Sequence, residues 1–124
     1  MDAKGDDPLP YKLKTKIWLE KNGEKVFGDG PLDILKRVER TGSLRQAAAE
    51  IKMSYSQAWH LIKMLEANLG FPILEMQAGG AGGGHSNLTT EAIALTAAYS
   101  AFRKEAREAL ADLFQKHLSH LNDG

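Results

Sequence analysis

No cysteine occurs among the 124 residues. Disulfides, thiolate metal sites and thiol catalysis are thereby excluded, and the absence suits a cytoplasmic setting. No apolar run approaches the roughly 20 residues a bilayer-spanning helix needs, so no membrane partner is expected. The opening MDAKGDDPLPYK is polar and acidic and has no signal-peptide pattern. Neither sign of charge dominates, because 16 Lys and Arg balance 16 Asp and Glu. Residues 43–88 hold three basic residues against three acidic ones, so the middle of the chain is no basic block either. Bulk electrostatics therefore cannot hold nucleic acid or an anionic membrane, and any grip on phosphate must come from focused placement.

What is present reads as one modest domain. Residues 1–10, with charge, Gly5, Pro8 and Pro10, form an expected flexible tail. From Tyr11 the pattern alternates, with Tyr11, Leu13, Thr15, Ile17 and Leu19 on one face and Lys12, Lys14, Lys16, Trp18 and Glu20 on the other. Period two predicts a half-buried strand. Asn22-Gly23 supplies a type I′ turn and Lys25–Phe27 the returning arm. GPLDILKRVERTG then predicts a helix, with Pro31 at its first position, Leu32, Ile34, Leu35 and Val38 on its apolar face, and Gly42 as its stop.

Two capping boxes follow, Ser43 with Gln46 and Ser54 with Gln57. They predict an alanine-rich helix over 44–51, a turn at KMS and a second helix from 55 to Leu69, stopped by Gly70. Small side chains on the first helix allow the second to cross it closely. Together they read as a helix-turn-helix. On the second helix Tyr55, Ala58, Trp59, Ile62, Leu65 and Leu69 share the inner face. Ser54, Ser56, Gln57, His60 and Lys63 lie outward or near its start. Such hydrogen-bonding side chains suit base edges in a major groove, where Gln pairs with adenine and Ser with several bases.

GGAGGGHS, from Gly79 to Ser86, is spaced nearly as a Walker A loop, but His85 stands where lysine is required. The next helix also starts too late, after Thr89. With FPILEMQ before it and HSNL after it, the stretch reads as a hairpin tip, and no nucleotide is expected. His117 and His120 share a helix face without a third ligand, so no metal and no cofactor are expected. No nucleophile has a local base, and the chain is not expected to be an enzyme. From Thr90 to about Leu121 the composition is helical. Leu95, Tyr99, Phe102, Ala106, Ala109 and Leu113 recur with the 4-3-4-3-4 spacing of a coiled-coil-like seam.

GSLRQAAAEIKMSYSQAWHLIKMLEANLG resembles the winged helix-turn-helix of the LysR type. Ser43, Ala47, Ala48, Ile51, Ser54, Ile62, Leu65, Glu66, Leu69 and Gly70 stand where that pattern has Ser, Ala-Ala, Leu, Ser, Ile, Leu, Glu, Leu and Gly. The chain is more closely similar to the N-terminal DNA-binding domain of the molybdate-responsive ModE family. That likeness rests on GS before the first helix, SY followed by AW, and the GG-x-GGG wing leading to LT. It runs over roughly residues 11–121.

The resemblance implies a mainly α fold with a small β component. The expected parts are an N-terminal hairpin and winged helix-turn-helix at 11–89 and a long dimerisation helix at 90–124. It implies a transcriptional regulator that binds a pseudo-palindromic double-stranded operator as a homodimer through the seam residues. Helix contacts would come from Ser54, Tyr55, Ser56, Gln57 and His60. Wing contacts would come from Gly82, Gly83, His85, Ser86 and Asn87, and phosphate contacts from Arg45, Lys52 and Lys63. Ala81 replaces a lysine common in such wings, and Ser56 and Gln57 replace basic residues, so weaker phosphate contact is expected. Molybdate sensing in that family uses separate C-terminal domains, so no molybdate site is expected within this chain. The balanced charge leaves a second reading open, a winged helix that binds protein rather than DNA.

Overall fold

The computed structural model describes residues 10–77 and 85–122. The chain divides into two compact units, Ile17–Ser100 and Met1–Lys16 with Ala101–Gly124. In the first unit, β1 (Trp18–Lys21) and β2 (Glu24–Gly28) form an antiparallel hairpin. Asn22 and Gly23 have φ of 54° and 82°, the two left-handed positions a tight turn of this type requires. The register slips between Leu19 and Glu20, where Leu19 pairs with Phe27 and Glu20 with Lys25. Val26 is the extra residue of the resulting bulge, and it lets two consecutive side chains, Val26 and Phe27, both turn inward.

The strand expected from Tyr11 is much shorter than predicted. Residues 11–17 are not strand, and Tyr11 and Leu13 are 59% and 42% exposed. Trp18 pairs with Gly28, the last residue of β2, and Asp29 opens a helix. The returning arm is used up there, so it has no backbone left to pair with the earlier residues.

Helix α1 (Asp29–Thr41) starts two residues before Pro31. Proline is tolerated there because N–H groups of the first turn have no intrahelical acceptor. Its buried side chains are Leu32, Ile34, Leu35 and Val38, and Gly42 ends it at φ 72° while donating its N–H to the Val38 carbonyl. Helices α2 (Leu44–Glu50) and α3 (Tyr55–Leu69) follow. Ala47, Ala48 and Ala58 are fully or almost fully buried between neighbouring elements. The wing strands β3 (Leu74–Gln77) and β4 (His85–Leu88) are antiparallel, with Leu74 opposite Leu88 and Gln77 opposite His85. Helix α4 (Thr90–Leu118) completes the chain with a 3-10 turn, Ser119–Asn122. Among the described residues no helix is long and apolar enough to cross a membrane.

The core joins β2, α1, α2, α3, the wing base and the start of α4. Phe27 and Tyr99 meet edge-on, with ring centroids 5.0 Å apart and planes at 83°. The Tyr99 hydroxyl donates to the Ile17 carbonyl at 3.0 Å. Tyr99 was expected in the seam between protomers, yet it is 4% exposed within its own chain. Leu95 also packs partly against this core. A 4-3 spacing marks an apolar stripe on a helix but not what covers it, and here the protomer itself covers the stripe's first part.

Truncating Phe27 to Ala should destabilise the fold by about 3–5 kcal/mol through cavity formation. Tyr99→Phe, which loses only the hydroxyl contact, should cost about 0.5–1.5 kcal/mol. Urea unfolding checks both, read as a lower midpoint at unchanged slope.

Candidate nucleic-acid interface

The first turn of α3 is built by its own side chains. Ser54, in extended conformation, accepts the Gln57 N–H on Oγ at 3.1 Å, and Gln57 Oε1 accepts the Ser54 N–H at 3.1 Å. The predicted box at α2 is half formed, with Ser43 Oγ accepting the Gln46 N–H at 3.0 Å. Between the helices, Lys52 adopts φ 58°, and Met53 donates its N–H to the Ala48 carbonyl at 2.9 Å. This tight reversal sets α3 across α2.

One face of α3 is spent on the core, through buried Ala58, Ile62 and Leu65 with Tyr55, Trp59 and Leu69 packed beside them. Ser54, Ser56, Gln57, His60 and Lys63 are exposed, as expected. Two of the expected cations lie on aromatic rings. The Arg45 guanidinium is 4.3 Å from the Tyr55 ring centroid, and Lys63 Nζ is 4.5 Å from that of Trp59. Tyr55 is thus a half-buried platform beneath Arg45 rather than a side chain presented outward. Lys63 also reaches Glu66 at 3.3 Å, which shares its charge. Among the described residues no carboxylate pairs with Arg45 or Lys52.

The wing strand β4 alternates, with His85 and Asn87 exposed and Ser86 and Leu88 buried. Ser86 was expected at DNA, but it is 3% exposed and both its polar groups are committed. Its N–H donates to the Gly42 carbonyl at 2.9 Å, and its Oγ accepts the Leu44 N–H at 3.2 Å. It ties the wing to the corner between α1 and α2. Gly82 and Gly83 lie outside the described residues.

Glu66 and Thr89 complete the frame. The Glu66 carboxylate accepts the Ile73 N–H at 2.9 Å. Thr89 Oγ1 donates to the Pro72 carbonyl at 2.6 Å and accepts the Ala92 N–H at 3.1 Å, and the Thr89 N–H reaches the Ile73 carbonyl at 2.9 Å. The strut role of Ser86 had a signal in the sequence. Leu88, two residues on, must face the core, so strand parity turns Ser86 inward with it.

Away from this surface, Glu50 accepts from Arg37 at 2.9 Å and from Arg40, and Arg37 also holds Asp33. Hydrogen bonds from Arg40 and then Arg37 keep the Glu50 carboxyl below its usual range. Bonds to Glu50 and then Asp33 raise the Arg37 guanidinium. Among the described residues, no three His, Asp or Glu side chains group so as to hold a metal ion.

A core-anchored helix crossing a short one, beside a hairpin wing, defines a winged helix-turn-helix. The family described as bacterial regulatory helix-turn-helix protein, lysR family, matches residues 31–93. The chain belongs to this family, whose members are DNA-binding transcriptional regulators and not enzymes. It is 33% identical to the molybdenum-pterin-binding protein MopB of Rhodobacter capsulatus, over 93% of this chain and 41% of that one. It is 31% identical to the molybdenum transport protein ModE of Azotobacter vinelandii, over 91% of this chain and 42% of that one. The chain thus spans about two fifths of the length of these relatives. The crystal structure of ArgP from Mycobacterium tuberculosis matches with a TM-score of 0.50 at 28% identity, covering 68% of this chain and 30% of that one.

Glu66 gives the frame a pH dependence. Burial raises its carboxyl, but the Ile73 N–H, the Lys63 ammonium and the Leu74 N–H outweigh that and hold it below the ordinary 4.5. A lowered folded pKa contributes stability that is complete above the unfolded value and lost as pH falls through the folded one. Glu66→Gln should therefore lower the melting temperature at neutral pH. Its melting temperature should also fall less steeply than that of the unmodified chain below pH 4.5, as calorimetry across pH would show.

Proposed function

We propose that this chain is a sequence-specific DNA-binding regulator of the ModE type that acts as a dimer on a pseudo-palindromic operator. The observation that carries the reading is the polar outer face of α3, with Ser56, Gln57 and His60 exposed on a helix whose opposite face is locked in the core. Such a helix enters a major groove as a rigid body. On the wing strand His85 and Asn87 are exposed, and Arg45, Lys52 and Lys63 supply positive charge. Relatives named ModE and MopB support target genes related to molybdenum.

The dimer reading rests on α4. With Tyr99 and Leu95 occupied by the chain's own core, the proposed seam is Phe102, Ala106, Ala109 and Leu113. Phe102 and Leu113 are 51% and 48% exposed. A two-fold axis through this helix would set two recognition helices about 34 Å apart, one turn of DNA. The balanced charge supports one rival, a winged helix that binds protein. A fluorescence titration against random duplex across salt separates the two, because absence of salt-sensitive binding near about 50 mM overturns the DNA reading.

Arg45→Ala should weaken all sequences alike and reduce the salt slope by about one. His60→Ala should instead relax base preference at one position per half-site in a site-selection experiment. Leu113→Arg should convert dimer to monomer in sedimentation and lower affinity for a full operator while sparing that for a half-site.

A further inference from the structure

The carboxamide of Gln57 is engaged before any base is present. Its Oε1 accepts the Ser54 N–H at 3.1 Å. Only the oxygen end of a carboxamide can face an N–H, so this contact fixes which end points where. The oxygen turns back toward the main chain at the start of α3, and the amino end is the one left to project. Gln57 is exposed on the surface that carries Ser56 and His60.

A glutamine reads adenine by aiming both ends at one base edge, with its oxygen to the N6 amino group and its amino group to N7. Gln57 cannot aim both while its oxygen serves the cap. Releasing the oxygen would leave the Ser54 N–H unpaired and break one half of a reciprocal pair. Ser54 is constrained in the same way, since its Oγ accepts the Gln57 N–H and its hydroxyl hydrogen is what remains to donate.

Resting on the DNA reading above, we infer that Gln57 is a donor-only specificity residue. It selects a base whose major-groove edge carries acceptors and no amino group, guanine through O6 and N7 or thymine through O4. Adenine is disfavoured because its N6 amino group meets no acceptor, and cytosine because it offers only a donor there. The residue type that suggests adenine in the sequence specifies the opposite chemistry once its cap is formed.

Site selection from a random duplex pool with the full chain, its Gln57→Glu variant and its Gln57→Ala variant tests this. Glutamate keeps the cap acceptor and has no donor, so an unchanged melting temperature would show the fold intact. The unmodified chain should fix guanine or thymine at one position of each half-site. Gln57→Glu should lose that preference by roughly threefold to tenfold and move toward cytosine, whose amino group donates to a carboxylate. Gln57→Ala should lose it without replacement. The Ser54 amide should stay protected from hydrogen exchange in the complex as in the free protein. Adenine at the Gln57-dependent position, loss of Ser54 protection on binding, or identical motifs from all three proteins would overturn the inference while leaving DNA binding intact. If the unmodified chain retains no duplex at any salt concentration, the DNA reading falls and this inference falls with it.

Discussion

Ser86 holds the wing against the rest of the fold. Its N–H and hydroxyl fasten the second wing strand to Gly42 and Leu44, at the corner where α1 gives way to α2. Both groups are shielded from water, so losing the hydroxyl would leave the Leu44 N–H buried without an acceptor, at a cost of about 1–3 kcal/mol. The corner itself exists because Gly42 accepts a left-handed conformation that stops α1. Glu66 and Thr89 extend the fastening by binding the Pro72–Ile73 segment from opposite sides. Wing base and α3 are therefore parts of one frame. A contact surface made of two elements needs that, because docking to a rigid duplex rewards only side chains already held in register.

Charge is sorted around this frame rather than accumulated. Arg37 and Arg40 are matched by Glu50 and Asp33 on the α1–α2 side. Arg45 and Lys63 are steadied by aromatic rings, and among the described residues Lys63 alone of the pair meets a carboxylate. A net charge of zero thus coexists with two cations near α3, Arg45 and Lys52, that no carboxylate among the described residues meets. The pairs on the α1–α2 side are exposed and screened by salt.

Much of this was legible because local chemistry dictates it. Ser54 with Gln57 and the glycines at 42 and 70 announce helix ends by their own hydrogen bonds and φ angles, and the structure places the ends there. The helix-turn-helix and the wing strands follow from these stops. What failed to show depends on partners distant in sequence. Alternation from Tyr11 carries the signature of a strand, but β2 ends too soon to pair with it. The stripe on α4 has the spacing of a seam, yet Phe27 claims Tyr99 from 72 residues away in the chain. Ser86 stood among the wing contacts only because the resemblance implied it, whereas strand parity decides its direction.

The first turn of α3 shows why reading side chains by type misleads. A capping box needs Ser and Gln at fixed positions, and the same two residue types are common readers of bases. One hydrogen-bonding group cannot be aimed in both directions at once. Where the cap forms, the helix gains a sharp, rigid start, and the capping side chains keep only the donors the cap does not use. Rigidity and versatility thus oppose each other within a single turn. The chain resolves this by confining the cap to Ser54 and Gln57, which leaves Ser56 and His60, on the same exposed face, outside the pair.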